Sequence, residues 1–320
     1  MLEFNVLADI GSSYTRLAAG NRFVSDETRA AIDPADGKRV LAFGRRAGKL
    51  LNANSVYPVR GCISDVTLTA VMLRRFTLDL IKRSSLMGVS LRLAMPLSAS
   101  QTELNAALSA GREAGFTRIT IEDAQLAGFL GAGLDPFRQD ANMVVNIGRE
   151  RISSVAAANG GVIARSSHSF GSSAFDRHLQ AYFAMEHGLL LSFYAAEQMK
   201  KELHKPLLRV HGRDSGTGQP LMRAVETREI RNALKPTVRM LAAAITAAIG
   251  ELPPDSAADL VDNGVTLIGG GALLFGLDSA LEEELGIPVR TASNAENAVI
   301  LGMKDLLRLK ASEGILKGAG

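Results

Sequence analysis

The chain has 320 residues, 47% apolar and 22% charged, with a formal net charge of +3. That length exceeds what one hydrophobic core usually serves and fits two domains, and the composition excludes a disordered chain. Lysines and arginines are scattered and no dense basic run interleaves with aromatics, so nucleic-acid binding is not indicated.

In chain order, residues 4–10 and 14–19 read as paired strands. Residues 22–33 and 39–43 continue as strands around Asp33-Pro34-Ala35-Asp36-Gly37. Residues 45–52 read as a short helix. Asp65 is placed to cap a helix running to about Ser84, with Leu68, Val71, Met72, Phe76 and Leu80 at helical spacing. Leu91–Met95 is a buried strand ending at Pro96. Ser100 and Glu103 form a capping box for a helix that stops near Gly115. Thr117–Ile121 is a strand leading into a helix from Ala124 to about Ala132, whose small residues allow close packing.

The second half repeats the plan. Strands at 143–147, 151–158 and 161–168 precede helices near 172–186 and 192–203. Thr227 is expected to cap a long helix kinked at Pro236, with Ile230, Leu234, Val238, Leu241, Ile245 and Ile249 on one face. A strand at 264–268 follows, then a last helix from about 296 to 310 and a frayed tail. Alternating strands and helices point to α/β layers.

Cys62 is the single cysteine, so no disulfide forms within the chain; a reducing cytoplasm and a small buried thiol are expected. The five histidines lack zinc-ligand spacing. The first residues enter a strand directly, without the segments of a signal peptide. No apolar stretch approaches the roughly 20 residues that span a bilayer.

One pattern occurs twice. Residues 6–18 contain Asp9-Ile10-Gly11-Ser12-Ser13-Tyr14-Thr15 between two apolar strands, and residues 143–156 contain Asn146-Ile147-Gly148-Arg149-Glu150-Arg151-Ile152 in the same place. A third glycine turn, Gly269-Gly270-Gly271, ends a strand near the C-terminus. Two such hairpins and one more backbone cradle suggest a nucleotide clamped between related domains. Asp9 is suited to hold Mg²⁺ through water. Gly11, Ser12 and Ser13 leave room for phosphate at backbone N–H groups, and the hydroxyls of Ser12, Ser13 and Thr15 add donors. A helix opening at Gly269–Gly271 would aim N–H groups at an anion or ribose. Glu122 and Asp123 end a strand, where either acid would orient a water for in-line attack on phosphate.

Together these residues resemble the MreB/Mbl class of bacterial actins, within the actin, sugar-kinase and chaperone ATPase superfamily. The resemblance covers about residues 5–309. It rests on Pro58-Val59-Arg60-Gly61 through Asp65, Ala94-Met95-Pro96 followed by Glu103, Glu122-Asp123-Ala124 leading to Gly131-Ala132-Gly133-Leu134, the stretch Val210 to Gly218, and Leu267 to Asp278. It implies an actin-like, ribonuclease H-like duplicated α/β fold. Domain I is expected over 1–142, with a small subdomain near 22–58 and helix 296–310 packing back on it. Domain II is expected over 143–295, with a small subdomain near 187–240, and 311–320 as a flexible tail.

The resemblance places Asp9, Gly11, Ser12, Ser13 and Thr15 on the first phosphate loop. It places Asn146, Gly148 and Arg149 on the second, Gly269, Gly270 and Gly271 on the adenosine loop, and Glu197 and Lys200 on the helix flanking ribose and adenine. It implies ATP or GTP with Mg²⁺, self-association into filaments, and a cytoplasmic location at the inner membrane face beside the wall-synthesis machinery. Leu86 and Met87 are the candidate membrane loop. The second loop departs from the family's Asp-Ile-Gly-Gly-Gly-Thr-Thr, with Asn146 for the acid and arginines at 149 and 151. Glu122-Asp123-Ala124 replaces Glu-Glu-Pro, which shortens the water-positioning acid. Hydrolysis is therefore expected to be weak, at most a slow ATPase. A nucleotide-free actin-fold scaffold and a small-molecule kinase of the same superfamily are the alternative readings.

Overall fold

The computed structural model describes residues 4–50 and 52–313. The chain divides into two compact units. Among the described residues, 4–135 with 297–313 form the first, and 136–296 form the second. Residues 136–142, expected in domain I, go with the second unit. The Pro136 and Arg138 carbonyls accept from the N–H groups of Gly160 and Asn159, which pins that segment to the second unit's own hairpin.

In the first unit, β1 (Phe4–Ile10) pairs antiparallel with β2 (Tyr14–Ala19), and β3 (Arg22–Glu27) extends the meander. Val6, Ala8 and Leu17 are fully buried, so the apolar runs form core strands. β4 (Ala30–Ile32), β5 (Val40–Phe43) and β6 (Asn54–Val56) make a separate three-stranded sheet. The helix expected over 45–52 is a 3₁₀ turn, Gly44–Lys49. β7 (Val59–Arg60) and β8 (Cys62–Ile63) form a short hairpin turned by Gly61 at φ +76°. Cys62 is exposed on it, contrary to the expected buried thiol, because it pairs with the exposed Arg60 while Val59 takes the buried place.

α1 (Val66–Ile81) starts at the Asp65 cap, which accepts from the Leu68 N–H at 2.8 Å. β9 (Val89–Met95), α2 (Gln101–Ala114) with its Ser100–Glu103 capping box, and β10 (Arg118–Asp123) follow. α3 (Ala124–Gly131) completes the first stretch. The main sheet runs β10-β9-β1-β2-β3.

The second unit has the same plan. β11 (Asn142–Ile147), β12 (Ile152–Ala158) and β13 (Gly161–His168) form its meander. α4 (Ser173–Glu186), β14 (Leu189–Leu190), α5 (Phe193–Lys201), β15 (Leu207–Asp214) and β16 (Pro220–Glu226) come next. The three-stranded sheet β14-β15-β16 was not legible in the sequence. α6 (Thr227–Gly250) runs unbroken through Pro236. Thr227 is its first residue, not its cap, and the hydroxyl donates to the Pro206 carbonyl instead. By length and composition α6 is apolar enough to cross a membrane, against the sequence expectation. Its apolar side, Ile230, Leu234, Leu241 and Ile245, is buried in the unit's core, while Arg228, Arg231, Lys235 and Arg239 are exposed, as in an amphipathic core helix.

α7 (Pro254–Asn263), β17 (Val265–Ile268), α8 (Leu277–Leu285) and β18 (Val289–Thr291) close the unit, with sheet order β13-β12-β11-β17-β18. Read from the other edge, that order matches the first unit strand for strand, β11 standing for β1. The chain then returns to the first unit as α9 (Ala298–Glu313), so part of the expected tail is helical and 314–320 lie outside the described residues. A Cβ on Gly302 would fall 1.7 Å from the Ala127 carbonyl oxygen, and one on Gly131 would fall 1.8 Å from that of Ala298. Glycine at both positions lets α3 and α9 pack backbone to backbone.

Candidate functional site

The two glycine hairpins share one backbone device. The Gly11 N–H donates to the Tyr14 carbonyl at 3.0 Å, and the Gly148 N–H to the Arg151 carbonyl at 2.9 Å. A Cβ on either glycine would crowd the same carbonyl it bonds. Asp9 and Asn146 therefore hold equivalent places, each at a strand end before an equivalent turn.

In the first turn the Asp9 carboxylate lies 3.7 Å from the Arg16 guanidinium, its partner across the β1–β2 ladder. Burial pushes the Asp9 carboxyl upward, and Arg16 opposes that. Arg16 Nε in turn donates to Asn297 Oδ1 at 3.0 Å. Ser12 Oγ accepts from the Gly61 N–H at 2.7 Å, which ties the β7–β8 hairpin to the turn. Thr28 N–H donates to the Ser13 carbonyl, and the Thr28 hydroxyl to the Gly11 carbonyl. Thr15 corrects its sequence assignment. It is fully buried and its hydroxyl bonds that of Thr28 at 2.9 Å, so it braces the turn from behind.

The second turn is held by its own charges. Arg149 donates to Glu197 at 3.3 Å, lies 3.6 Å from Glu150, and stacks 4.7 Å over the Phe193 ring. Glu150 accepts from the Ser173 hydroxyl at 2.8 Å. The Gly148 and Arg149 carbonyls accept from the N–H groups of Ser172 and Ser173 at the start of α4. Burial would raise the Glu197 carboxyl, but Arg149 and Lys201 outweigh it and hold it below its usual range. Lys200 reaches Asp176 at 2.8 Å and the Ser172 carbonyl at 3.0 Å. Burial pushes Asp176 up and Lys200 down, with each partner resisting the other's shift. Glu197 and Lys200 thus sit beside the second turn, already engaged in ion pairs. The bracing residues Phe193, Asp176 and Glu150 carry no motif of their own in the sequence.

The triple glycine divides its labour. Gly269 has φ +87° and gives its N–H to the Ala295 carbonyl at 2.7 Å. A Cβ on it would meet the Asn146 side chain at 2.4 Å, and one on Gly271 would meet Ile147. Only Gly270 is exposed with open space where a side chain would go. A four-residue 3₁₀ turn, Gly270–Leu273, follows in place of the expected helix start.

The two acids of β10 point to opposite faces, as strand neighbours must. Glu122 is 1% exposed and closed between Arg92 and Lys310, each at 2.5 Å, which removes it as a water-positioning acid. Asp123 caps α3 and accepts from the N–H groups of Gln125 and Leu126 at 3.0 and 3.1 Å. The expected membrane loop is halved, because Leu86 is 1% exposed and packed in the first unit's core, whereas Met87 is 82% exposed.

Mg²⁺ in nucleotide sites keeps several waters and takes one or two carboxylates plus phosphate oxygens. Of the two equivalent strand ends, one carries an amide, Asn146, and the other carries Asp9 beside Arg16. Among the described residues no group of three His, Cys, Asp or Glu is placed to hold a metal ion. A Mg²⁺ held through water and by the phosphates of a bound nucleotide asks for no such group, and Asp9 would fit it.

Duplicated five-stranded sheets with matching glycine hairpins define the actin-like fold. MreB5 of Spiroplasma citri, solved with AMPPNP, superposes with a TM-score of 0.89 at 22% identity, over 98% of this chain and 100% of that one. A MamK double helical filament gives 0.78 at 14% identity, over 95% and 99%. The model of the MreB/Mbl protein family matches residues 5–313, and the chain belongs to that family. The cell shape-determining protein MreB of Escherichia coli is 30% identical, covering 94% of this chain and 92% of its own length. The cell shape-determining protein Mbl of Bacillus subtilis is 29% identical over 87% of each.

Proposed function

We propose that this chain is a nucleotide-binding, filament-forming protein of the bacterial cytoskeleton that takes part in setting cell shape. The observation that carries this reading is the glycine turn built twice, Gly11–Tyr14 and Gly148–Arg151, with an open Gly270 in the third turn. Relatives named for cell-shape determination, an MreB5 bound to AMPPNP or ADP, and a MamK filament support it. ATP is the proposed nucleotide, with GTP as its competitor. Gly11, Ser12, Ser13, Gly148 and Arg149 receive phosphate, and Gly269–Gly271 the adenosine. Hydrolysis is slow, because Asn146 supplies no metal-side charge and Asp123 is committed to capping α3.

Head-to-tail contacts between identical subunits generate open filaments. The proposed place is the inner membrane face, beside the machinery of wall synthesis. Met87 alone buries little area, so membrane attachment by one subunit is weak and gains strength only along a filament. Sedimentation and electron microscopy of the purified chain, with and without ATP, test the proposal. Pelleting should rise above a threshold concentration and be promoted by nucleotide. A chain that stays monomeric at high concentration with nucleotide and lipid present would overturn it. Assembly indifferent to nucleotide would point to the scaffold alternative.

A further inference from the structure

Arg16 stands directly across the β1–β2 ladder from Asp9, so the two side chains share one face of the sheet beside the first glycine turn. Its neighbour Thr15 points the other way, into the brace with Thr28. The face that carries the acid therefore carries a guanidinium as well.

The surroundings of Arg16 fix the group but leave its fork unused. Nε donates to Asn297 Oδ1 at 3.0 Å, and the guanidinium carbon lies 5.5 Å from the centre of the Tyr14 ring. At 3.7 Å the Nη1 contact with Asp9 is beyond hydrogen-bond length, whereas the Lys200–Asp176 pair has closed to 2.8 Å. Among the described residues neither Arg16 Nη nitrogen donates a hydrogen bond, and neither is sealed from solvent. The side chain is nonetheless only 10% exposed. A guanidinium held at one nitrogen and open at the other two presents a planar fork that matches phosphate oxygens.

We infer that Arg16 is a phosphate-binding residue of the first turn, donating to the nucleotide while Asp9 beside it is left to the water shell of the accompanying Mg²⁺. This rests on the nucleotide-binding reading of the turns, and the experiment separates the two. ATP affinity of the full chain is measured by calorimetry in excess Mg²⁺ and in excess EDTA, with circular dichroism to confirm folding. Arg16→Gln should weaken binding in Mg²⁺ by about tenfold or more, the usual worth of a charge-assisted contact. Arg16→Lys keeps the charge and loses the fork, so its affinity should fall between the two. It serves if the glutamine variant does not fold, and an affinity equal to the parent's would then overturn the inference.

A residue that merely orients Asp9 would give the same losses in Mg²⁺. Asp9→Asn, nearly isosteric and uncharged, tells the roles apart. In EDTA this variant should bind ATP more tightly than the parent, because Arg16 is then left to the phosphates with no carboxylate beside it. Adding Arg16→Gln should take away about tenfold of that affinity. No further loss from Arg16→Gln in the Asp9→Asn chain, or no binding of ATP by that chain in EDTA, overturns the inference and leaves Arg16 as a support for Asp9. No binding by the unaltered chain under either condition overturns the nucleotide reading itself.

Discussion

The guanidinium of Arg149 donates to the carboxylate of Glu197 at 3.3 Å, closing the second glycine turn with the protein's own charges. The two residues are 48 positions apart, on the turn after β11 and on α5. Nothing in the local sequence of either announces the other.

That contact makes part of the stability acid-sensitive. The Glu197 carboxyl is held below its usual range, so its contribution is full above the unfolded-state value and is lost as pH falls through the depressed folded value. At neutral pH, Glu197→Gln should cost roughly 1.5–3 kcal/mol, the range for hydrogen bonds to charged groups. The melting temperatures of variant and parent should converge as pH drops below about 4. A gap that stays constant down to pH 3 would mean the carboxylate's charge contributes nothing.

Glu122 carries a second prediction. Its side chain is buried between Arg92 on β9 and Lys310 on α9, so one carboxylate fastens the returning helix to the main sheet. Removing one partner of a buried pair leaves the other uncompensated. Glu122→Ala should destabilise by about 2–4 kcal/mol, somewhat below the fully buried case because both cations reach solvent. Glu122→Gln should cost less, since the amide oxygen still accepts. Denaturant unfolding measures both. An unchanged midpoint for the alanine variant would return Glu122 to the list of free acids.

Phosphate release from ATP should be slow. Without an acid at 146, and with Asp123 tied to the Gln125 and Leu126 N–H groups, attack on the γ-phosphate lacks charge stabilisation and orientation alike. Losses of roughly 100-fold or more relative to a family member carrying both acids are expected. Asn146→Asp combined with Asp123→Glu should release phosphate faster than either change alone. Brisk turnover by the unaltered chain, abolished by Asp9→Ala, would contradict this.

Much of the architecture was legible because it is local. The Asp65 cap, the Ser100–Glu103 box and the repeated hairpins each declare themselves within a few residues. The strands of 2–8 residues that make the sheet β14-β15-β16 did not, since they are largely exposed and interspersed with charged residues, which blurs an apolar alternation. The turns were legible in their glycines, and the partners of their side chains were not. Asp9, Gly11, Gly148 and Gly269–Gly271 lie on the expected turns. Thr15 and Glu122 were assigned to ligand and water, but the fold commits them to Thr28, Arg92 and Lys310. Whether a polar residue serves a ligand or a neighbour is a property of what the fold brings opposite it. Leu86 was misread for the same reason, as it sits in a polar stretch yet packs into the core.

The central claim is that nucleotide sits on these glycine turns, and Gly270 gives the most direct test. It is exposed and has open space for a side chain, so Gly270→Asp should fold with a ligand-free melting temperature close to that of the parent. Millimolar ATP should raise the melting temperature of the unaltered chain, as any ligand selective for the native state does. In Gly270→Asp the rise should vanish, because a carboxylate then occupies the place that receives the nucleotide. An equal rise in both proteins would show that ATP binds away from these turns, and no rise in the unaltered chain would contradict nucleotide binding altogether.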